Sequence, residues 1–363
     1  MIKAMNNPLL LNQVLLKFED GFKKDREDIS AVQLTLDKSE KYLWLGSDET
    51  TTIERLSFVD QQTFDAHKRF HVQDFIELPE SEDQEIDIEG FAYTDYYLWF
   101  VGSHSWKRKK PNSDKTDLEN IDRLSTIKTE ANRYILGRIP MIGGELFKTC
   151  QHPDDPDLEL SAAKLALTKD GNALTEALEK DTHLGCFVGA TIPGKDNGFD
   201  IEGIAVYQNR LFLGLRGPVL RGWAIMLEIQ LETSDSELLK LKLIGQEQLY
   251  KKHFIYLNGL GIRDLCLDGE DILILAGPTM DLDGPVRIYR LQKGVNLREN
   301  VLLEPDMVQE IPYGKLEDHA EGITMFNEIT GISSLLVVYD SPAKQRLKGN
   351  DDVVADVFKL GGE

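Results

Sequence analysis

The chain has 363 residues, 41% of them hydrophobic and 28% charged, which is the composition of a folded globular protein. Its formal net charge of −21 argues against a general nucleic-acid or membrane surface, because both of those partners are anionic. No stretch approaches the roughly 20 apolar residues that a membrane span needs. We therefore expect no nucleic-acid partner and no membrane partner, although a small local basic site stays compatible with this charge.

The cysteines and the N-terminus bear on location. Cys150, Cys186 and Cys266 are odd in number and far apart, so we interpret them as reduced thiols and not as a disulfide framework. Residues 1–13 lack the charged start, long apolar core and small-residue cleavage site of a signal peptide. Both features predict a cytoplasmic protein.

A strand-turn-strand motif recurs five times along the chain. Each copy begins with a short strand, passes through a turn that contains Asp, Asn or Gly, and continues in a strongly apolar strand. The first strands begin at residues 28–32, 87–92, 200–205, 262–266 and 319–324, and the second strands follow at 42–48, 98–104, 211–218, 272–278 and 335–342.

Further strands are predicted around each copy of the motif. Third strands are expected at residues 52–59, 133–141, 223–231, 286–291 and 353–360, and fourth strands at 69–78, 185–192, 252–257 and 307–311. Four antiparallel strands in about 60 residues are typical of propeller blades. The sequence therefore predicts an all-β fold in which residues 1–363 form a single β-propeller domain.

The ends of the chain and one long interval decide the number of blades. The last copy lacks a fourth strand, and we expect the N-terminal run 9–18 to complete that blade and close the ring, which removes exposed sheet edges. The interval of 113 residues between Asp87 and Asp200 has room for a sixth blade but few strand candidates. We favour five blades with insertions at about 105–131 and 143–183, and six blades is the alternative.

The antiparallel connections bring the start of each first strand and the end of each second strand to the same face. The equivalent starting positions are Ser30, Glu89, Glu202, Asp264 and Glu321. Carboxylates around one axis repel one another unless a cation, water or a ligand amine offsets them. Ca²⁺ prefers oxygen ligands, which makes Glu89, Glu202, Asp264 and Glu321 the candidate metal ligands. The alternative is architectural, with each carboxylate accepting backbone hydrogen bonds from a neighbouring blade.

Several cationic side chains are predicted on the same face. Arg216 and Arg221 follow a second strand, and Lys195 and Arg263 lie near the starts of first strands. Because guanidinium groups bind phosphate and carboxylate in a bidentate manner, these four residues are candidates for binding a small anionic ligand. The alternative is that Arg216 and Arg263 pair with the ring carboxylates.

The first insertion supplies two more candidates. His104 ends a second strand and is the candidate catalytic residue, as a proton carrier. The basic run 106–110 (Trp-Lys-Arg-Lys-Lys) follows it and is interpreted either as a flap over the face or as a solvated loop.

Two segments resemble a known family. Residues 198–205 (Gly-Phe-Asp-Ile-Glu-Gly-Ile-Ala) and the run 214–223 resemble a bacterial family described as domain of unknown function 3616, over most of the chain. More distantly, the Glu-Gly-Ile-Ala pattern is similar to that of phytase-like and esterase-like β-propellers. That resemblance implies a propeller fold, a Ca²⁺ cofactor and cleavage of phosphate esters. Ser30 and Asp264 stand where the pattern has Glu, and a lysine-rich phosphate site is not evident.

Two functions follow as hypotheses. The first is a metal-dependent hydrolase of a small anionic ester, with its site at the mouth of the central channel. The alternative is a non-enzymatic propeller that binds a ligand or a partner protein while its central carboxylate ring is structural. The residues leave both open.

Overall fold

The computed structural model describes residues 9–37, 39–81, 84–168, 170–235, 237–245 and 247–361. Within these ranges the fold is all-β and propeller-like, because most strands belong to five antiparallel units of four strands each. Unit 1 contains Ile29–Asp37, Glu40–Ser47, Thr52–Asp60 and Thr63–His71; unit 2 contains Ile88–Thr94, Tyr97–Gly102, Leu136–Ile142 and Ala163–Leu165; unit 3 contains Asp200–Tyr207, Arg210–Gly217, Trp223–Asp235 and Tyr250–Tyr256; unit 4 contains Gly261–Asp268, Asp271–Gly277, Val286–Leu291 and Asp306–Ile311; unit 5 contains His319–Met325, Ser334–Asp340, Asp352–Lys359 and Leu10–Leu16.

The first strands of the five units line a common axis. Each packs against the first strand of the next unit, and the first strand of unit 5 packs against that of unit 1. Five clusters of buried apolar side chains lie in the described part of the chain, one between each pair of neighbouring units. The core is thus spread around the axis in layers, because each sheet buries both faces against its neighbours.

The N-terminal strand joins the first and last units. Leu10–Leu16 pairs antiparallel with Asp352–Lys359 and, through Leu15 and Leu16, parallel with the start of Thr63–His71. The Leu16 side chain is fully buried. The strand is therefore paired on both sides at its end, Leu15 and Leu16, and on one side over the rest of its length.

Residues 185–192 do not form the predicted strand. The fourth strand of unit 2 is Ala163–Leu165, and a short helix, Gly185–Val188, occupies the predicted position. The physical reason lies just before the helix, where Asp181 Oδ1 accepts hydrogen bonds from the backbone N–H groups of His183 and Leu184 and so favours helical turns.

The remaining elements lie mainly in the insertions. The other helices are Asp117–Ser125, Ala173–Leu178 and Asn327–Thr330, with 3₁₀ turns at Asp25–Glu27, Val72–Asp74, Ala131–Tyr134 and Gly294–Asn296. The other strands are Lys107–Arg108, Ile127–Lys128, Glu145–Leu146, Thr149–His152, Asp155–Ser161, Leu167–Thr168, Gly171–Asn172, Leu238–Lys242, Leu302–Leu303 and Leu347–Lys348. None of the helices in the described ranges is long and apolar enough to cross a bilayer. All three cysteines are free thiols.

Candidate functional site at the mouth of the channel

A β-bulge marks the same position in the first strand of every unit. At this point the pairing with the second strand slips by one residue, so one side chain is released from the ladder. The bulged residues are Ser30, Glu89, Glu202, Arg263 and Glu321. Unit 4 therefore contributes an arginine to the ring where the sequence comparison placed Asp264.

Arg263 neutralises carboxylates of the units on both sides of it. Its Nε lies 3.2 Å from Glu202 Oε2, and its Nη2 donates a short hydrogen bond to Glu321 Oε1. Arg216 also holds Glu202, with Nη1 2.6 Å from Oε1, while its Nε donates to the carbonyl of Thr279. Glu202 and Glu321 are thus occupied by arginines in a structural network, which was the alternative left open for Arg216 and Arg263.

Asp264 and Ser30 act as links between neighbouring units. Asp264 Oδ2 accepts a hydrogen bond of 2.8 Å from the N–H of Ile323 in unit 5, and Oδ1 accepts from its own neighbour Leu265. Ser30 Oγ donates 2.5 Å to the carbonyl of Ile88 in unit 2. Asp264 lies one residue beyond the bulge, and both of its oxygens are used by the backbone, so it is not placed to bind a metal.

Three acidic side chains at the mouth have no partner among the described residues. Asp48, Glu89 and Asp200 take part in no ion pair, and their carboxyl groups accept no hydrogen bond, within this part of the chain. Glu89 and Asp200 are 8% and 4% exposed. An oxygen of Asp48 and an oxygen of Asp200 are fully buried without a hydrogen-bond partner. Unpaired buried carboxyl groups are rare in folded proteins and call for a partner.

Burial and the charges of neighbouring acids oppose the ionisation of these three carboxyl groups. Burial raises the pKa of Asp200 to about 8, and the neighbouring charge of Glu202 adds to the effect. Burial, followed by the charge of Asp87, also raises the pKa of Glu89 and the pKa of Asp48 well above their usual ranges. The carboxyl group of Asp200 is therefore mostly protonated at neutral pH, and burial disfavours the charged forms of Glu89 and Asp48.

The three acids line one cavity of about 510 Å³. The ring residues Glu202 and Glu321 and the basic run 106–110 also line it. Two of the four cations of this run are in ion pairs, Lys107 with Glu85 and Glu130 and Arg108 with Asp196. The run is therefore part of the cavity wall, and the flap and the solvated loop both stay open as interpretations.

Lys195 enters the same cavity. Within the described ranges it forms no ion pair closer than 4 Å. Burial and the charge of Arg216 lower the pKa of Lys195, but the acids Glu321, Asp48 and Asp340 outweigh them, so its pKa is above the usual value. Three of the four cations predicted to bind an anion line the two cavities, and of these Arg216 and Arg263 are paired with ring carboxylates while Lys195 is in no ion pair within the described ranges.

A second cavity of about 160 Å³ adjoins the first and shares part of its wall. The residues common to both are Lys110, Lys195, Arg216, Asp281 and Glu321. His319 lies in the second cavity, 3.9 Å from Asp340 and 3.8 Å from Asp283. The carboxylate of Asp340 raises the pKa of His319.

His104 is not part of either cavity. Its side chain is 2% exposed, Nδ1 donates 2.6 Å to the carbonyl of Gly102, and Nε2 lies 2.7 Å from the amide nitrogen of Asn172. Burial lowers the pKa of His104 to about 4. Both ring nitrogens are engaged and the ring stays neutral, so the structure gives His104 a packing role in place of the predicted proton transfer.

Arg221 also lies away from the site. It sits in the exposed turn before Trp223 and lines neither cavity. The turn explains this placement, because Arg221 has a φ of 52° and is followed by Gly222 with a φ of 97°, which swings the chain away from the channel.

The residues present do not fit a Ca²⁺ ion. Among the described residues, no group of three or more His, Cys, Asp or Glu side chains is arranged to hold a metal. Glu202 and Glu321 are bound by arginines and Asp264 by backbone amides. Arg263 in the ring supplies the positive charge that the sequence analysis had expected from a metal ion.

Three residues of the site, Asp48, Asp200 and Arg133, were not assigned to it by sequence reasoning. Arg133 is 5% exposed, forms an ion pair with Asp87, and donates from Nε to the carbonyl of Ser105. It comes from the 3₁₀ turn Ala131–Tyr134 after the first insertion and so lies outside the repeated motif. No periodic signal pointed to it.

Comparisons with known proteins give a family but no activity. No curated protein matches this sequence. Solved structures that match this chain include the mannose phosphorylase MPT-4 from Leishmania mexicana (12% identity, 97% of this chain and 88% of that chain, TM-score 0.41), a hypothetical protein from Leishmania major (11%, 98% and 91%, 0.41) and a thermostable family-43 glycoside hydrolase (10%, 98% and 96%, 0.42). Similarity this low carries no information about activity.

The family model that matches covers nearly the whole chain. It spans residues 28–356, from the first bulged strand to the closing strand of unit 5. The chain therefore belongs to the family described as protein of unknown function DUF3616.

Proposed function

We propose that the mouth of the channel binds a small organic cation, an amine or a guanidine, and that the ring beneath it is structural. The observation that carries this proposal is the set of unpartnered acids Asp48, Glu89 and Asp200 in one cavity. A positively charged ligand with several N–H groups supplies the hydrogen-bond donors that these oxygens lack.

The lining of the cavity contains both acidic and basic side chains, but the two arginines closest to the ring carboxylates are already paired. Arg216 and Arg263, the residues best suited to grip a phosphate, already bind Glu202 and Glu321. An anion would have to compete with these buried carboxylates and would lie close to Glu89 and Asp200. A cation in the same place is attracted, because its positive charge stabilises the ionised form of Glu89 or Asp200 and so allows one of them to lose a proton.

This binding is coupled to proton release. In the free protein the Asp200 carboxyl group is mostly protonated at pH 7, since its pKa is about 8. A bound ammonium or guanidinium group lowers that pKa, and the proton leaves to the solvent. Affinity should therefore rise between pH 6 and pH 8, as long as the ligand keeps its own charge.

Titration calorimetry at pH 7.5 tests the proposal with 1,4-diaminobutane, guanidinium chloride and, as the anionic probe, inorganic phosphate. We expect both cations to bind and phosphate not to bind. Asp200→Asn should weaken cation binding about tenfold or more, because one charge-assisted hydrogen bond is lost. Glu232→Gln, at an exposed glutamate of unit 3, is the matched control and should leave the affinity unchanged.

If phosphate binds in a way that depends on Lys195 and neither cation binds, the proposal is wrong. The small anionic ligand expected from the sequence would then be the better hypothesis. A cation affinity that is equal in Asp200→Asn and in the wild type would place the ligand elsewhere.

Hydrolysis without a metal is the second candidate function. The observation that favours it is the contrast between the protonated acid Asp200 and the arginine-bound carboxylate Glu202 on the same bulged strand, since a proton donor beside a carboxylate is the usual pair for acid–base catalysis. A panel of phosphate, carboxylate and glycoside esters tests it. Turnover that is lost in both Asp200→Asn and Glu202→Gln supports it, and no turnover leaves binding alone as the function.

Two finer statements belong to the same proposal. We infer that the five units are the blades of a five-bladed propeller, since the first strand of each unit contacts those of two neighbours. A crystal structure with a sixth antiparallel unit would contradict this. We also propose a cytoplasmic location, which cell fractionation with an antibody to the chain tests.

A further inference from the structure

The second cavity has an apolar rim that the binding of a simple cation does not require. Four large apolar side chains stand around its opening and are widely exposed: Met280 at 46%, Leu282 at 60%, Tyr313 at 43% and Leu316 at 74%. They belong to two loops, 278–284 after the second strand of unit 4 and 313–316 before the first strand of unit 5. Large apolar side chains gathered at a cavity mouth are typical of a binding surface.

The loops are held in this arrangement by specific contacts. Leu316 has a φ of 58°, a left-handed conformation that costs free energy for a leucine, and its N–H donates 2.8 Å to Asp283 Oδ1. Met280 is tied by a β-bridge to Asp196, and its neighbour Thr279 accepts from Arg216. The rim is therefore anchored to the charged floor and is part of the same construction.

The rim and the acids line two adjoining cavities, which are together called the cleft. Both cavities share Lys110, Lys195, Arg216, Asp281 and Glu321 as wall residues. At one end the cleft offers unpaired carboxyl groups, and at the other it offers an apolar opening. A molecule that fills both ends has a cationic group and an apolar group joined by a short connection.

We infer that the ligand of this site is an amine or guanidine that carries an aromatic or branched aliphatic group, which packs against Met280, Leu282, Tyr313 and Leu316. This inference rests on the proposed binding of a cation and adds the chemical class of the rest of the molecule. Polyamines and other fully polar cations fill the acidic end alone and leave the rim exposed, so they bind more weakly.

Calorimetry at pH 7.5 with ethylamine and 2-phenylethylamine separates the two ends of the cleft. Leu316→Asn removes the apolar group while keeping a residue that tolerates a positive φ, and Met280→Gln keeps the length of the side chain. Val59→Gln, at a residue 58% exposed on the outer part of unit 1, is the control.

We expect the wild type to bind 2-phenylethylamine at least tenfold more tightly than ethylamine. Leu316→Asn and Met280→Gln should each weaken 2-phenylethylamine about threefold to tenfold without changing ethylamine, and Val59→Gln should change neither. If the wild type binds both amines equally and the rim variants have no effect, the inference is wrong although the cation site stands. If neither amine binds the wild type, the proposed function fails and the inference fails with it.

Discussion

The guanidinium group of Arg263 contacts the carboxylate of Glu321 across the boundary between units 4 and 5. The same guanidinium also lies 3.2 Å from Glu202 of unit 3. One side chain thus ties three consecutive units together around the axis. Arg263, Glu202 and Glu321 are only 7%, 3% and 7% exposed, so the electrostatic attraction between them is weakly screened by water.

Arg263→Met should therefore destabilise the protein strongly. The substitution leaves Glu321 buried without its cation, and breaking a buried pair in this way costs about 3–5 kcal/mol. Urea unfolding followed by fluorescence measures the free energy of unfolding. The double variant Arg263→Met/Glu321→Gln should recover part of the loss, because the uncompensated charge is gone.

Arg287→Met is the control for this series, because Arg287 pairs with the exposed Glu310 at 3.4 Å and such pairs contribute less than about 1 kcal/mol. A loss for Arg263→Met that is no larger than the loss for Arg287→Met would mean that the ring network does not hold the units together.

The protonated state of Asp200 predicts a specific pH dependence of stability. Its pKa is about 8 in the folded protein and about 4 in the unfolded chain, so the folded state holds one more proton between these values. Stability from this group is fully present below pH 4 and is lost progressively as the pH rises to about 8. The variant Asp200→Asn has no carboxyl group at this position and lacks this pH-dependent contribution to stability.

Thermal unfolding of the two proteins between pH 5 and pH 9 measures the effect. We expect the melting temperature of the wild type to fall relative to that of Asp200→Asn as the pH rises, and the difference to level off above pH 8. Parallel curves for the two proteins would show that Asp200 is ionised in the folded state at neutral pH.

The repeated motif was sufficient to predict the all-β, propeller-like fold, because its strands carry the apolar periodicity that layered sheets need. It failed at unit 4, where the position of the usual glycine is taken by Asp264. Aligning that aspartate with Glu202 shifted the ring by one residue. The isoleucines Ile88, Ile201 and Ile262 occupy the same position before the bulge, and aligning on them places Arg263 in the ring.

The rest of the site could not be inferred from the repeat. Arg133 reaches the mouth from an insertion, and no periodic position announces it. His104 ends a second strand as expected, yet its ring turns inward to Gly102 and Asn172 because a φ of 57° redirects the side chain. Such placements depend on single backbone dihedrals, which a pattern of residue types does not encode.

Removing or adding calcium should have no effect on stability. Since Arg263 already compensates the ring carboxylates, we expect the melting temperature to change by less than about 1 °C in 5 mM EDTA or in 5 mM Ca²⁺. Elemental analysis of the purified protein accompanies the measurement. A rise of several degrees in Ca²⁺ that is reversed by EDTA would show a metal site and would restore the metal-dependent hydrolase as the leading hypothesis.

The N-terminal strand should be necessary for stability although it is far from the site in sequence. Leu16 is fully buried between the first and last units. Leu16→Ala removes this packing and should lower the free energy of unfolding by about 2–5 kcal/mol. Leu36→Ala, at a leucine 43% exposed in unit 1, is the matched control and should cost less than about 0.5 kcal/mol. Equal losses in the two variants would contradict the role of the strand in closure.

The most direct test of the cation site is a crystal structure of the protein grown at pH 8 with 1,4-diaminobutane. We expect one ligand nitrogen within hydrogen-bond distance of the carboxyl groups of Asp200 and Glu89, with Arg263 still bound to Glu202 and Glu321. A diamine bound away from these two acids, or a metal ion or phosphate in their place, would contradict it.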